Sequence, residues 1–179
     1  LTGIDLPGEV AGRLTPLEKD PRAMNFATAA YGQGISNTPI GIITALSAIA
    51  NHGIIKKPYI TEGAMAGLPA EALQRRVISD ETATAVTQMM VSAVNVNKVA
   101  VIPNYKVAAK TGTAYVPDFK NGGYTKDVIN TYVGFAPATD PRFIILFKLD
   151  KIPNAPLAGQ TVVPAFRELT EFILNYYNI

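Results

Sequence analysis

Residues 143–147 read Phe-Ile-Ile-Leu-Phe, five large apolar side chains without a polar interruption. A strand sends alternate side chains to opposite faces, so a run apolar on both parities must be covered above and below. This predicts a strand in mid-sheet, with other elements packed on both of its sides. The preceding run, Asn130–Ala136, is joined to Arg142–Leu149 by Pro137-Ala-Thr-Asp140-Pro141, a tight-turn composition that predicts an antiparallel hairpin. No further strand pattern follows to take the second edge, and an open apolar edge is an aggregation hazard. The chain is therefore expected to form part of a larger domain.

The remaining pattern is helical first and extended later. Residues up to about 30 look irregular, broken by Pro7, Gly8, Gly12, Pro16 and Pro21. Thr38-Pro39 has the form of a cap followed by proline at the first helical position, and Ile42, Ile43, Leu46, Ile49 and Ala50 recur at helical spacing until Gly53. Ile54–Thr61 predicts a short strand or extended connection. Ser79 opens a second helix with Asp80 and Glu81 in its first turn and a stripe of Ala83, Val86, Met90 and Ala93. Three strands are expected at Tyr105–Ala114, Asn130–Ala136 and Arg142–Leu149, the first two separated by a polar loop containing Asn121-Gly122-Gly123. A last helix carries Val162, Phe166, Leu169, Ile173 and Tyr176 on one face, with Pro164 in its first turn. The order predicts an α+β fold: residues 1–104 mainly helical, then residues 105–179 as three antiparallel strands with a C-terminal helix packed on the sheet.

Composition narrows the chemistry. The 179 residues hold no cysteine and one histidine, so disulfides, thiol catalysis and a structural zinc site are not expected. Net charge is +2 with no run of Lys or Arg longer than two, which gives no footprint for nucleic acid. The most apolar stretch, Ile40–Ala50, is too short to span a bilayer, so any membrane anchor is expected outside this sequence.

The chemistry-bearing motif is Val107-Ala-Ala-Lys-Thr-Gly-Thr-Ala114. In an extended chain Thr111 and Thr113 project to one side, and Lys110 and Gly112 to the other. A glycine that admits a close backbone, two hydroxyls and an ammonium form a wall suited to an extended, peptide-like ligand with a carboxylate. Lys-Thr-Gly is the third motif of penicillin-binding proteins and class A β-lactamases. Other residues carry less. His52 is placed at a helix C-terminus, where it suits the dipole. Asp5 and Glu9 lie in a segment too broken for an acid/base pair, and Lys56-Lys57 and Arg75-Arg76 read as solvated faces. Tyr31-Gly-Gln-Gly34 reads as a packing turn rather than a phosphate loop.

With these residues in view, the whole chain resembles the C-terminal half of the transpeptidase domain of class B, monofunctional penicillin-binding proteins of the cell-division type. The resemblance rests on Thr2-Gly-Ile-Asp-Leu-Pro-Gly-Glu9, Tyr31-Gly-Gln-Gly-Ile35, Thr38-Pro39, Ala48-Ile-Ala-Asn51, the Lys-Thr-Gly run with Ala109 where glycine is common, Tyr132-Val-Gly-Phe-Ala-Pro137, Asp140-Pro-Arg-Phe143 and Pro164-Ala-Phe-Arg167. It implies a penicillin-binding/serine β-lactamase-like fold and serine acyl transfer that cross-links peptidoglycan stem peptides and is blocked by β-lactam antibiotics. It needs no cofactor, and it takes place on the extracytoplasmic face of the bacterial membrane. It further implies catalytic roles for Lys110 and Thr113, with Lys110, Thr111, Gly112, Thr113, Ala114 and Tyr115 binding substrate, Thr113 N–H serving as an oxyanion donor.

The family needs a serine with lysine three places on, and a Ser-x-Asn. Here Ser36, Ser47, Ser79 and Ser92 are followed three places on by Pro39, Ala50, Thr82 and Asn95, and none has asparagine two places on. This chain alone is therefore expected to be inactive, with the upstream half of the domain as its partner. A β-lactamase or carboxypeptidase of the same fold, or a non-catalytic binding or sensor module, are the alternatives.

Overall fold

The computed structural model describes residues 1–19, 21–98, 100–118, 120–152 and 157–179. Two short helices, α1 (Thr15–Glu18) and α2 (Ala23–Ala29), open the chain where the sequence predicts irregular structure. Pro16 sits in the first turn of α1, a position where proline costs a helix nothing, so prolines here bound helices rather than forbid them. Helix α3 (Pro39–Ala50) follows; the Thr38 hydroxyl accepts from Gly41 N–H at 3.1 Å as its N-cap. Strand β1 (Ile54–Lys56) then pairs antiparallel with β2 (Gln74–Arg76), which follows helix α4 (Ala70–Leu73).

Helix α5 (Asp80–Asn97) is capped by Ser79, whose hydroxyl accepts from Thr82 N–H at 3.2 Å. It leads to a three-stranded antiparallel sheet in the order β3 (Ala108–Pro117), β4 (Tyr124–Ala136), β5 (Phe143–Ile152). Strand β3 has the predicted length but lies three residues further along the chain, and β4 starts six residues earlier than the sequence predicts, because Tyr124–Val128 pairs with Pro117–Tyr115 across an irregularity and only residues 118–123 remain between the strands. The polar residues Thr125, Lys126 and Asp127 give this stretch no apolar face, which is why it reads as loop.

The last helix, α6 (Ala158–Tyr176), covers the sheet. It buries Val162, Val163, Phe166, Thr170 and Leu174, whereas Leu169 and Tyr176 face outward, so the packed face is rotated from the predicted one. Pro164 lies in its second turn rather than its first. The apolar arc of α6 is wider than its buried stripe, and sequence periodicity alone cannot choose within it. Phe166 is fully buried, with its ring edge-on to Tyr132 at 4.7 Å between centroids. Burial pushes the Tyr132 phenol up to about 12.

Two apolar clusters flank the sheet. Tyr132, Phe166, Val162 and Leu174 lie on the α6 side; Phe135, Ala108, Met90 and Ala138 lie on the other, backed by Leu46 and Ile49 of α3. Phe143, Ile145 and Phe147 of β5 join the first cluster and Ile144 the second, so the strand is apolar towards both sides as expected. Strand β5 pairs with β4 alone among the described residues, and its apolar side chains are half-buried.

Two carboxylates fasten the N-terminal segment. Asp5 accepts from the Thr61 hydroxyl at 2.5 Å, Ile60 N–H at 2.6 Å and Thr61 N–H at 3.0 Å; Glu9 accepts from Thr2 and Gly3. The Thr61 hydroxyl, then Ile60 N–H, hold the Asp5 carboxyl at about 2, and the Thr2 hydroxyl, then its N–H, lower Glu9. A depressed carboxyl stabilises the folded form above its unfolded pKa and ceases to do so as pH falls through the folded one. The Ile60 and Thr61 amide resonances are therefore expected to titrate with a midpoint near 2, the attachment weakening between about pH 4 and that point. Asp5→Asn removes the titration; amides that move with a midpoint near 4 in the parent protein would contradict the latch.

Candidate functional site

Lys110–Thr113 lies on β3, at the edge of the sheet, with β4 on one side and no strand on the other among the described residues. The register pairs Lys110 with Val133, Thr111 with Tyr132, Gly112 with Thr131 and Thr113 with Asn130. Directly opposed residues share a face, so Thr111 and Thr113 lie on the α6 side with Tyr132 and Asn130, and Lys110 and Gly112 on the other. Several contacts fix this assignment: Asn130 Nδ2 donates to Thr161 Oγ1 of α6 at 3.0 Å, and Ala158 N–H, at the α6 N-terminus, donates to Thr113 Oγ1 at 3.4 Å.

A cavity of about 380 Å³ opens beside the motif. Lys110, Thr111 and Thr113 form one wall, Asn97 at the end of α5 a second, and Leu157 and Gln160 at the start of α6 a third. Lys110 is exposed, and its Nζ donates to Thr111 C=O at 2.9 Å and to Thr111 Oγ1 at 3.4 Å. No carboxylate pairs with it among the described residues. An unpaired ammonium, two hydroxyls and the amide end of a 19-residue helix thus converge on one opening, and each favours an anion.

The other predicted positions fall around this opening. Ala114 is half-buried and Tyr115 is 58 % exposed further along the strand, neither lining the cavity. At Gly112 a Cβ would stand 2.4 Å from Thr131 Oγ1, so on its sheet face the space a side chain would need is already filled from β4. Strand packing thus favours glycine here unless the Thr131 hydroxyl turns away. Asn97, Leu157 and Gln160 carry no sequence signal as site residues. They reach the motif only through the packing of α5 and α6.

The residues set aside in the sequence resolve as follows. His52 lies at the end of α3, as expected, with φ +53°, and its Nδ1 meets Asp80 Oδ1 at 2.8 Å, so it also bridges to the start of α5. Arg76 is not simply solvated: its guanidinium donates to His52 C=O at 2.7 Å. Asp5 and Glu9 bind separate backbone amides and do not meet. Tyr31-Gly-Gln-Gly34 is a turn, with Gly32 and Gly34 at positive φ. Among the described residues no helix is long and apolar enough to cross a membrane, and no cluster of His, Asp and Glu has metal-binding geometry.

Comparison with known proteins points in one direction. The penicillin-binding protein transpeptidase domain model matches residues 1–171. Stage V sporulation protein D of Bacillus subtilis is 35 % identical over 171 residues, covering 90 % of this chain and 26 % of that protein. Penicillin-binding protein PbpB of Mycolicibacterium smegmatis is 31 % identical, covering 99 % of this chain and 30 % of that protein. Penicillin-binding protein 3 of Mycobacterium tuberculosis, solved in complex with aztreonam, superposes with a TM-score of 0.83 at 29 % identity, over 99 % of this chain and 43 % of that one. The chain thus spans between a quarter and a third of the length of these curated relatives.

Proposed function

Because this chain belongs to the penicillin-binding protein transpeptidase domain family, we propose that it supplies the Lys-Thr-Gly-Thr wall of a class B, cell-division-type peptidoglycan D,D-transpeptidase. The observation that carries this reading is the unpaired Lys110 ammonium beside the Thr111 and Thr113 hydroxyls on an open sheet edge. In this reading an extended stem peptide lies along β3 as an added strand, its terminal carboxylate taken by the two hydroxyls and by Lys110. Thr113 N–H is one donor to the carbonyl oxygen as it becomes an oxyanion. Gly112 clears the ligand backbone, and Ala114 and Tyr115 continue the groove. A β-lactam occupies the same edge through its own carboxylate and carbonyl.

The attacking serine and the lysine that takes its proton come, in this proposal, from sequence outside these 179 residues. None of Ser36, Ser47, Ser79 or Ser92 has the required lysine, and this chain by itself turns over no substrate. The half-buried β5, apolar towards both sides and open at one edge, supports a further strand seated there from the same outside region. The reaction is placed on the extracytoplasmic face of the membrane, where peptidoglycan is.

Intact mass spectrometry after incubation with a penicillin tests this. The whole protein is expected to gain one penicillin mass, with peptide mapping placing the ester on a serine outside residues 1–179. No adduct would overturn the transpeptidase reading, and an adduct on one of the four serines here would overturn the division of labour.

A further inference from the structure

On the sheet face away from α6 lies another cavity, also about 380 Å³, between the end of α3, the middle of α5 and the turn joining β4 to β5. Its inner wall is apolar, made by Ile49, Ala50, Val91 and Ala138 beside the second core cluster. Its rim is polar and cationic. Lys106 and His52 stand there with Thr84, Thr87 and Thr139. The carboxylates of the neighbourhood are engaged: Asp80 with His52, and Asp140 with the Arg142 guanidinium at 3.6 Å. Lys106 has no acidic partner among the described residues.

His52, at φ +53°, is the left-handed residue that closes α3, with Gly53 N–H donating to Ala48 C=O at 2.7 Å, and its imidazole meets Asp80 at the rim. The volume is at the small end of ligand sites, and the pattern of an apolar pocket with a few convergent polar groups is that of a ligand site rather than of a packing defect.

We propose that this cavity is a binding site for a small single-headed amphiphile, a free monocarboxylate whose apolar chain lies against Ile49, Val91 and Ala138 and whose carboxylate meets Lys106. It is separate from the Lys110 cavity: the two share no lining residue. The inference does not rest on the transpeptidase reading and fails or stands without it.

Titration calorimetry on the intact protein with octanoate, octanol and octylamine tests the proposal. Octanoate is expected to bind at one saturable site, with octanol at least tenfold weaker and octylamine not bound. Lys106→Met, which keeps the length of the stem and removes the charge, is expected to weaken octanoate at least tenfold. Thr84→Phe, at an exposed position of α5 on the rim, is expected to abolish binding by filling the opening. The two variants act independently, so a folding failure in one leaves the other to decide. Equal affinity for octanoate and octanol, no saturable binding, or an affinity within twofold after either substitution would overturn the site.

Discussion

Lys110→Ala in the intact protein is expected to slow acylation by penicillin at least a hundredfold while leaving the melting temperature nearly unchanged. The two halves of that expectation have different physical origins. Lys110 is exposed on an edge strand and touches little beyond its neighbour Thr111, so its removal creates no cavity and strands no buried group. Substitutions of that kind stay within about 0.5 kcal/mol. Its ammonium, in contrast, is the unpaired cation of the Thr111–Thr113 opening. Removing one preorganised charge or donor from a site where negative charge develops costs about 10²–10³ in rate. Lys110→Arg is expected to recover only a small part, because a planar guanidinium does not replace a compact ammonium. The check is a time course of fluorescent penicillin attachment beside a thermal melt. Acylation within threefold of the parent rate would remove Lys110 from the site.

What the sequence announced and what it withheld divide along a physical line. Features fixed by a few adjacent residues were legible. Thr38-Pro39 and Ser79 do cap α3 and α5, the 137–141 turn does join an antiparallel pair, and the alternation through Lys110–Thr113 does put the Thr111 and Thr113 hydroxyls on one face of β3. Features that depend on what packs against them were not. Gln74-Arg75-Arg76 has no apolar alternation, and it is a strand only because Ile54–Lys56 lies beside it. The packed face of α6 is chosen by Tyr132 and Asn130 of the sheet, not by its own periodicity. Asn97, Leu157 and Gln160 reach the cavity from elements that the chain separates by about sixty residues, and no local pattern brings them together. For the same reason the second neighbour of β5, which pairs with β4 alone among the described residues, could not be read from the pattern of the strand itself.

Gly134→Ala is expected to damage the fold heavily for a single added carbon. Gly134 pairs directly with Ala109 across β3 and β4. A Cβ there would stand 2.4 Å from Ala109 Cβ, 2.6 Å from Ala108 C=O and 2.9 Å from Ala109 Cα. Two of these obstacles are backbone, so no rotamer change relieves them, and β3 must move away from β4 one residue before Lys110. Overpacking of this kind costs about 3 kcal/mol. Glycine inside a strand marks such close approach, and here it leaves room for the Ala109 Cβ. Ala109→Gly in the Gly134→Ala background is expected to restore only part of the loss, since the Ala108 carbonyl remains in the way. Gly112→Ala offers the contrast: its Cβ meets only the Thr131 hydroxyl, which can rotate, and the expected cost is smaller. Urea denaturation of the three variants and the parent measures all of this. A Gly134→Ala protein within about 0.5 kcal/mol of the parent would mean that β3 and β4 are not in this register, and the placement of Lys110 would fall with it.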